Sequence, residues 1–200
     1  MENNRKGRTK PFLLIIEGAQ GAGKGTISTA IRNKVTCTNL ISLAGLPISS
    51  SKELVYRTRL AELDMLKDIG TSGLNIVMDR SFLSDRIFQL LGKKPYTAHE
   101  FDEYYYELLK KLRALSDYYD IHIVLLTASR EAYYERHKKR MDKPVYENLD
   151  FSAGNSILQQ YTYSQLFKEL KRFKELKFHT VSTKALKSDT VSKVLKLINR

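Results

Sequence analysis

The stretch GAQGAGKGT, residues 18–26, sets four glycines, a lysine and a threonine directly behind the apolar run FLLIIE. Glycines let successive backbone N–H groups turn inward around phosphate oxygens, the N-terminus of a following helix adds a positive field, and a lysine bridges terminal phosphates. Gly18, Ala19, Gln20, Gly21, Ala22, Gly23, Lys24, Gly25 and Thr26 therefore form the expected nucleotide cradle, with Lys24 as its catalytic cation. The usual pattern has a hydroxyl directly after the lysine to hold Mg2+. Gly25 stands there instead, so the hydroxyl moves to Thr26, which becomes the candidate Mg2+ ligand, directly or through water. An ordinary glycine-rich turn is the competing reading; a strand, a lysine and a hydroxyl in one place favour the cradle.

Two further clusters could complete a phosphoryl-transfer site. In DRSFLSDRIFQ, residues 79–89, Asp79 and Arg80 stand where the apolar run LNIVMD ends. Side chains at such a strand tip project into the crevice where parallel sheets bind ligands. An aspartate there can hold hydrated Mg2+ or accept a proton from the attacking oxygen, and an arginine can orient the acceptor or its phosphate. The plainer alternative is a helix cap beside a surface ion pair. In TASREAYYERHKKR, residues 127–140, Arg136 and Arg140 lie one helical turn apart, with Arg130 near the helix start. Arginines on a closing lid would surround the transferred phosphoryl group, whereas a run of this kind taken alone is a solvated face.

These residues need a scaffold that brings loop, strand tip and lid together. Short apolar runs predict strands at 12–18, 39–45, 74–79, 121–128 and 177–182. Helical spacing predicts helices behind the glycine loop, over 51–69 with a cap in SSSKE, over 82–91 closed by Gly92, from Thr97 as cap toward residue 120, and from Ser129 onward. Helices over 157–174 and 189–198 follow, while 143–156, with Pro, Gly, Asn and Ser, predicts a loop. Five strands alternating with helices argue for an α/β fold, a parallel sheet covered on both faces. Tyr104, Tyr105 and Tyr106 point to different helix faces, so packing explains them better than base stacking. His122 and His179 fall in strands and receive no catalytic role.

Bulk composition limits the rest. A length of 200 residues with 42% hydrophobic content suits one domain, 11–200, behind a basic tail 1–10. The single Cys37 excludes an internal disulfide, no His/Cys spacing suggests zinc, and a reducing cytoplasm fits. The run PFLLII is too short for a signal core and is cut off by Glu17, so no membrane partner is expected. Most of the net charge of +12 is C-terminal: residues 168–200 hold ten Lys/Arg against three Asp/Glu. Such a surface can attract nucleic acid by counterion release, although a solvated helix face is the commoner explanation.

IEGAQGAGKGT resembles the first motif of thymidylate kinases and deoxynucleoside kinases, among the P-loop nucleoside and nucleotide kinases, and its GKGT ending is the form found in adenylate kinases. DRSFLSDRIF is similar to the Asp/Glu-Arg-Ser segment of the deoxynucleoside kinases, including Ser84-Asp85-Arg86, and Glu135-Arg136 with Arg140 looks like the family's lid. The resemblance implies a three-layer P-loop fold with a five-stranded parallel sheet and a small helical lid over about 129–156. It further implies ATP and Mg2+, the metal being organised by Thr26 and Asp79, and transfer of the γ-phosphoryl group to a deoxynucleoside or nucleoside monophosphate. Family members are commonly dimers, so a homodimer is implied too. Two departures stand out: Gln20 replaces the acidic loop residue of thymidylate kinases, and SLAGLPISSSKE carries no carboxylate before Glu53. The usual general base is thereby missing, leaving Asp79, Glu17 or positioning alone. A same-fold kinase acting on a hydroxyl of nucleic acid, such as a hydroxymethylated base in DNA, is the second reading. A nucleotide-binding regulator without turnover is the third.

Overall fold

A computed structural model describes residues 10–42, 46–47, 49–141, 152–184 and 186–199. Five parallel strands, β1 (Phe12–Gly18), β2 (Thr38–Ile41), β3 (Asn75–Asp79), β4 (Asp120–Thr127) and β5 (Lys177–Ser182), make one sheet in the order β2-β3-β1-β4-β5. β1 is buried along its whole length because helices cover both faces of the sheet. Its alternation appears in where the side chains go. Leu13 and Ile15 enter one core, and Phe12, Leu14 and Ile16 enter the other.

On the second of these faces lie α1 (Lys24–Lys34) and α7 (Lys187–Leu197), which contribute Ile27 and Ile31, and Val191 and Val194. On the first lie α2 (Lys52–Thr71), α3 (Phe82–Leu90), α4 (Asp102–Ala114) and α6 (Ala153–Leu170). The helix after β1 thus covers one face and the helix after β3 the other. Because β1 and β3 are neighbours, their C-terminal loops part and open a crevice. The remaining helix, α5 (Arg130–Met141), packs Tyr133 against Ala19, Ala128 and Ala153, directly over the glycine loop.

Several predicted boundaries move. β2 is shorter than 39–45, and residues 43–45 lie outside the described residues. Helix α6 starts at Ala153 and not at 157, because the Ser152 hydroxyl accepts the Asn155 N–H at 3.0 Å and caps it; it ends at Leu170. Residues 153–156 are therefore helix and not loop, and the rest of the expected loop, 143–151, lies outside the described residues. The last helix begins at Lys187, two residues before 189. Ser51 caps α2 as expected, accepting the Leu54 N–H at 3.2 Å. Thr97 is not the cap of the long helix expected there: it exchanges hydrogen bonds with Glu100 ahead of a 3-10 turn, His99–Phe101, whose N-cap is Ala98, and α4 starts only at Asp102.

Candidate active site

The glycine loop is built by close approaches. Gly18, at φ 149, sits where a Cβ would come within 2.6 Å of the Leu126 carbonyl oxygen of β4. Ala22 N–H then donates to the Ala19 carbonyl at 3.1 Å, and Gly23, at φ 95, forms the N-cap of α1 without any side-chain cap. The first N–H groups of α1 are thus left to an anion. Gln20 N–H is held by the Gln159 Oε1 of α6 at 3.0 Å, while the Oε1 of Gln20 is buried with no hydrogen-bond partner among the described residues. Lys24 is buried, its Nζ donating to the carbonyls of Gly18 at 2.7 Å and Ala19 at 2.8 Å. Burial, then the Arg80 charge, push its ammonium down to about 7, against the pull of Asp79 and Glu17.

Asp79 closes β3 opposite Ile16 of β1. Its Oδ1 is buried without a hydrogen-bond partner among the described residues, and its Oδ2 lies 3.1 Å from where a Cβ on Gly25 would stand. The missing side chain at position 25 is what admits this carboxylate to the start of α1. Burial raises the Asp79 pKa above its ordinary value, and Lys24 and Arg80 oppose that rise. Among the described residues, no group of three or more His, Cys, Asp and Glu side chains is placed to hold a metal. An orphaned carboxylate oxygen beside a phosphate cradle nonetheless fits Mg2+, which takes one or two carboxylates and completes its shell with phosphate and water. Thr26, one residue beyond Gly25, lines the cavity described below.

Arg80 has φ 77, a left-handed backbone rare outside glycine, and its N–H donates to the Ile16 carbonyl at 3.0 Å. Such a conformation costs about 1–3 kcal/mol and persists only where surrounding structure enforces it. The enforcing group is Glu17, which is wholly buried. Its Oε1 accepts the Ser81 N–H at 2.8 Å and the Ser81 hydroxyl at 2.7 Å; its Oε2 accepts the Ser84 hydroxyl at 2.7 Å and the Tyr163 phenol at 2.9 Å. Burial raises the Glu17 pKa, and the hydrogen bonds from Ser81, Ser84 and Tyr163 pull it back. With no surface open to an acceptor, Glu17 positions the β3–α3 corner and is not the general base considered from sequence.

Arg136 of α5 donates from one nitrogen to the Gly21 carbonyl at 2.9 Å and the Thr183 hydroxyl at 3.1 Å, and from the other to the Thr183 carbonyl at 3.0 Å. It therefore clips the lid helix to the glycine loop and to the segment after β5. Arg140 lines the same side, close enough that its charge lowers the Lys24 pKa. Together with Gly21, Gly23, Thr26, Lys139 and Lys187 these arginines enclose a cavity of about 480 Å3. Arg130 points elsewhere, over the Tyr134 ring at 5.9 Å.

Between α2 and α3, Arg59 is buried and pairs with Asp85 at 2.7 Å and Glu62 at 3.0 Å. Gln89 and Tyr96 are buried nearby, where burial and the Asp85 charge push the Tyr96 phenol up to about 12 against a hydrogen bond with Gln89. Sequence reasoning missed this cluster, along with Tyr163, Gln159 and Thr183, since their partners are distant in the chain. The spacing of Asp85 and Gln89, one turn apart behind Arg80, was the available signal for part of it. The three tyrosines diverge as expected: Tyr104 stacks on Tyr56 at 4.4 Å, Tyr105 packs edge-on to Phe82, and Tyr106 is exposed.

No protein-family model and no curated protein matches the sequence. Solved structures do. The chain is similar to deoxyadenosine kinase from M. mycoides with bound dCTP, at 20% identity and a TM-score of 0.58, covering 94% of this chain and 99% of that one. It is similar to thymidylate kinase from Candida albicans at 16% identity and a TM-score of 0.64, covering 95% and 92%. Polyphosphate Kinase 2 from Arthrobacter aurescens TC1 matches at 20% identity and a TM-score of 0.64, covering 94% of this chain and 65% of that one. The fold is that of the P-loop kinases.

Proposed function

We propose that this protein is an ATP-dependent kinase that transfers the γ-phosphoryl group to a nucleoside, preferably a deoxynucleoside, or a nucleoside monophosphate. The observation that carries the reading is the convergence of Lys24, Asp79 and Arg80 at the adjoining tips of β1 and β3, with Arg140 reaching in from α5. The likeness in fold to deoxynucleoside and thymidylate kinases supports it.

In this reading the loop amides and the first turn of α1 hold the donor phosphates, and Lys24 leaves the carbonyls of Gly18 and Ala19 to neutralise them. Thr26 and Asp79 would hold Mg2+, which supplies charge neutralisation at the phosphates. Arg80, fixed by its left-handed backbone, orients the acceptor oxygen or its phosphate. Arg140 faces the charge that spreads over the transferred group, and Arg136 keeps α5 seated on the loop. Such chemistry depends on positioning and electrostatics more than on a strong base, which accommodates the missing carboxylate before Glu53.

Labelled ATP incubated with a panel of nucleosides and nucleoside monophosphates tests the proposal. Transfer to at least one, abolished by Lys24→Ala and by Asp79→Asn, is expected. A wild-type protein as inert as the Lys24→Ala variant would instead make it a nucleotide-binding regulator.

A further inference from the structure

The positive charge of this protein is not spread evenly over its helices. On the face that carries α2, α3, α4 and α6, every helix is neutral: α2 has four basic and four acidic side chains, α4 three of each, and α3 and α6 one of each. The opposite face behaves differently. Helix α1 has Lys24, Arg32 and Lys34 with no acid, and α7 has Lys187, Lys193 and Lys196 against Asp189 alone.

Packing turns this imbalance into one surface. Ile27 and Ile31 of α1 share a core cluster with Val191 and Val194 of α7, so the two helices lie side by side. Each follows a strand of the same parallel sheet and runs back along it, which brings the exposed Arg32 and Lys34 and the exposed Lys193 and Lys196 to the same end. At the other end the exposed Lys187 joins Lys139 of α5 at the rim of the cavity. With 11 residues in each helix, this cluster of four and Lys187 stand about 16 Å apart. A DNA duplex presents one phosphate charge per about 1.7 Å of its axis, so such a face lies along roughly nine of them.

We infer that the α1/α7 face is a binding surface for the phosphate backbone of double-stranded nucleic acid. Neither helix holds an aromatic residue, so the face lacks the stacking platform that single strands use. One large apolar side chain, Leu186 at the N-cap of α7, is exposed on this face, and a single such residue is not the apolar stripe that enters a lipid surface. What remains is a cluster of cations at one end and Lys187 at the other, suited to an array of phosphates read without regard to sequence. Arg32, Lys34, Lys193 and Lys196 lie apart from the phosphoryl-transfer residues, and the inference stands whether or not the chain is a kinase.

The test is anisotropy of a labelled 20-base-pair duplex titrated with the full chain at several salt concentrations. Five exposed cations on α1 and α7 opposed by Asp189 predict a slope of log affinity on log salt near −4, by counterion release of about 0.9 per phosphate. Combined Arg32→Glu, Lys34→Glu, Lys193→Glu and Lys196→Glu reversal is expected to weaken binding by more than about tenfold while leaving the melting transition and nucleotide binding in place. Should that variant fail to fold, the corresponding glutamine set reads the same effect at lower amplitude. Reversal of Lys67, Lys110, Lys168 and Lys171, on the neutral face, is the matched control and is expected to change binding little. A slope shallower than about −1, equal loss in both variants, tighter binding to single strands than to duplex, or tighter binding to anionic phosphatidylserine vesicles than to duplex overturns the inference.

Discussion

Replacing Tyr163 by phenylalanine removes one oxygen from the interior and nothing else. Tyr163 is wholly buried, and its phenol donates to Glu17 Oε2 at 2.9 Å while contacting the Ser84 hydroxyl at 2.7 Å. Burial and the Glu17 charge hold that phenol well above 10, so it remains a donor throughout the neutral range. Phenylalanine keeps the packing against Phe167, so the cost is that of a hydrogen bond to a charged group, about 1.5–3 kcal/mol. The sign of its pH dependence follows from Glu17. Because burial leaves Glu17 above its ordinary 4.5, its ionised form costs stability above that raised pKa and none below 4.5. Losing the phenol raises the pKa further, so the penalty of Tyr163→Phe is small in acid, grows as pH rises through the two pKa values, and is full above both. Urea unfolding over a series of rising pH, with a Glu17→Gln cycle, measures the effect, and a coupling above about 1 kcal/mol is expected at its alkaline end. Phosphoryl transfer should lose kcat more than KM, since Glu17 sets the corner that carries Arg80. A variant within about 0.5 kcal/mol of wild type across the whole pH series would refute the cage as the source of that corner's order.

Gly25→Ala places a Cβ 3.1 Å from Asp79 Oδ2 while gaining helix propensity, so stability should hold within about 1 kcal/mol and transfer should fall more than about tenfold, read by melting and by labelled ATP. Lys24, pushed down to about 7, is mostly neutral at pH 8, so binding of nucleotide phosphates should take up close to one proton; calorimetry in buffers of different ionisation enthalpy measures it, and no buffer dependence counts against the predicted role. For folding, the same lowered value means that the unfolded chain binds more protons between about 7 and 10.5, so the Lys24 contribution to stability rises with pH across that window. Arg136→Ala releases three hydrogen bonds to Gly21 and Thr183 and should weaken nucleotide binding about tenfold in equilibrium titration, with little change in the melting transition.

The local features were legible in the sequence. β1 followed by glycines and Lys24 could be read because every residue that makes the loop is within a dozen positions, and LNIVMD ending on Asp79 announced its own strand tip. What could not be read were contacts whose two ends lie far apart. Glu17 read as a candidate general base, with no sign that Tyr163 and Ser84 close on it, and Arg136 read as a lid arginine, with no sign that its nitrogens reach Gly21 and Thr183. Gly25 looked like a departure from a pattern; its reason is an aspartate from another strand. The start of α6 was misplaced because Gly154, Asn155 and Ser156 are poor helix formers, and the Ser152 cap outweighed them.

The loop and its supports are drawn from widely separated parts of the sequence. Gln20 is held by Gln159, 139 positions later, and Glu17 by Tyr163, 146 positions later. During synthesis the glycine loop leaves the ribosome well before the helix that steadies it. Contacts of such separation form late, after the intervening loop entropy has been overcome. A nascent chain short of α6 would therefore carry a phosphate loop without a fixed shape, and competence to hold a nucleotide would arrive together with completion of the sheet.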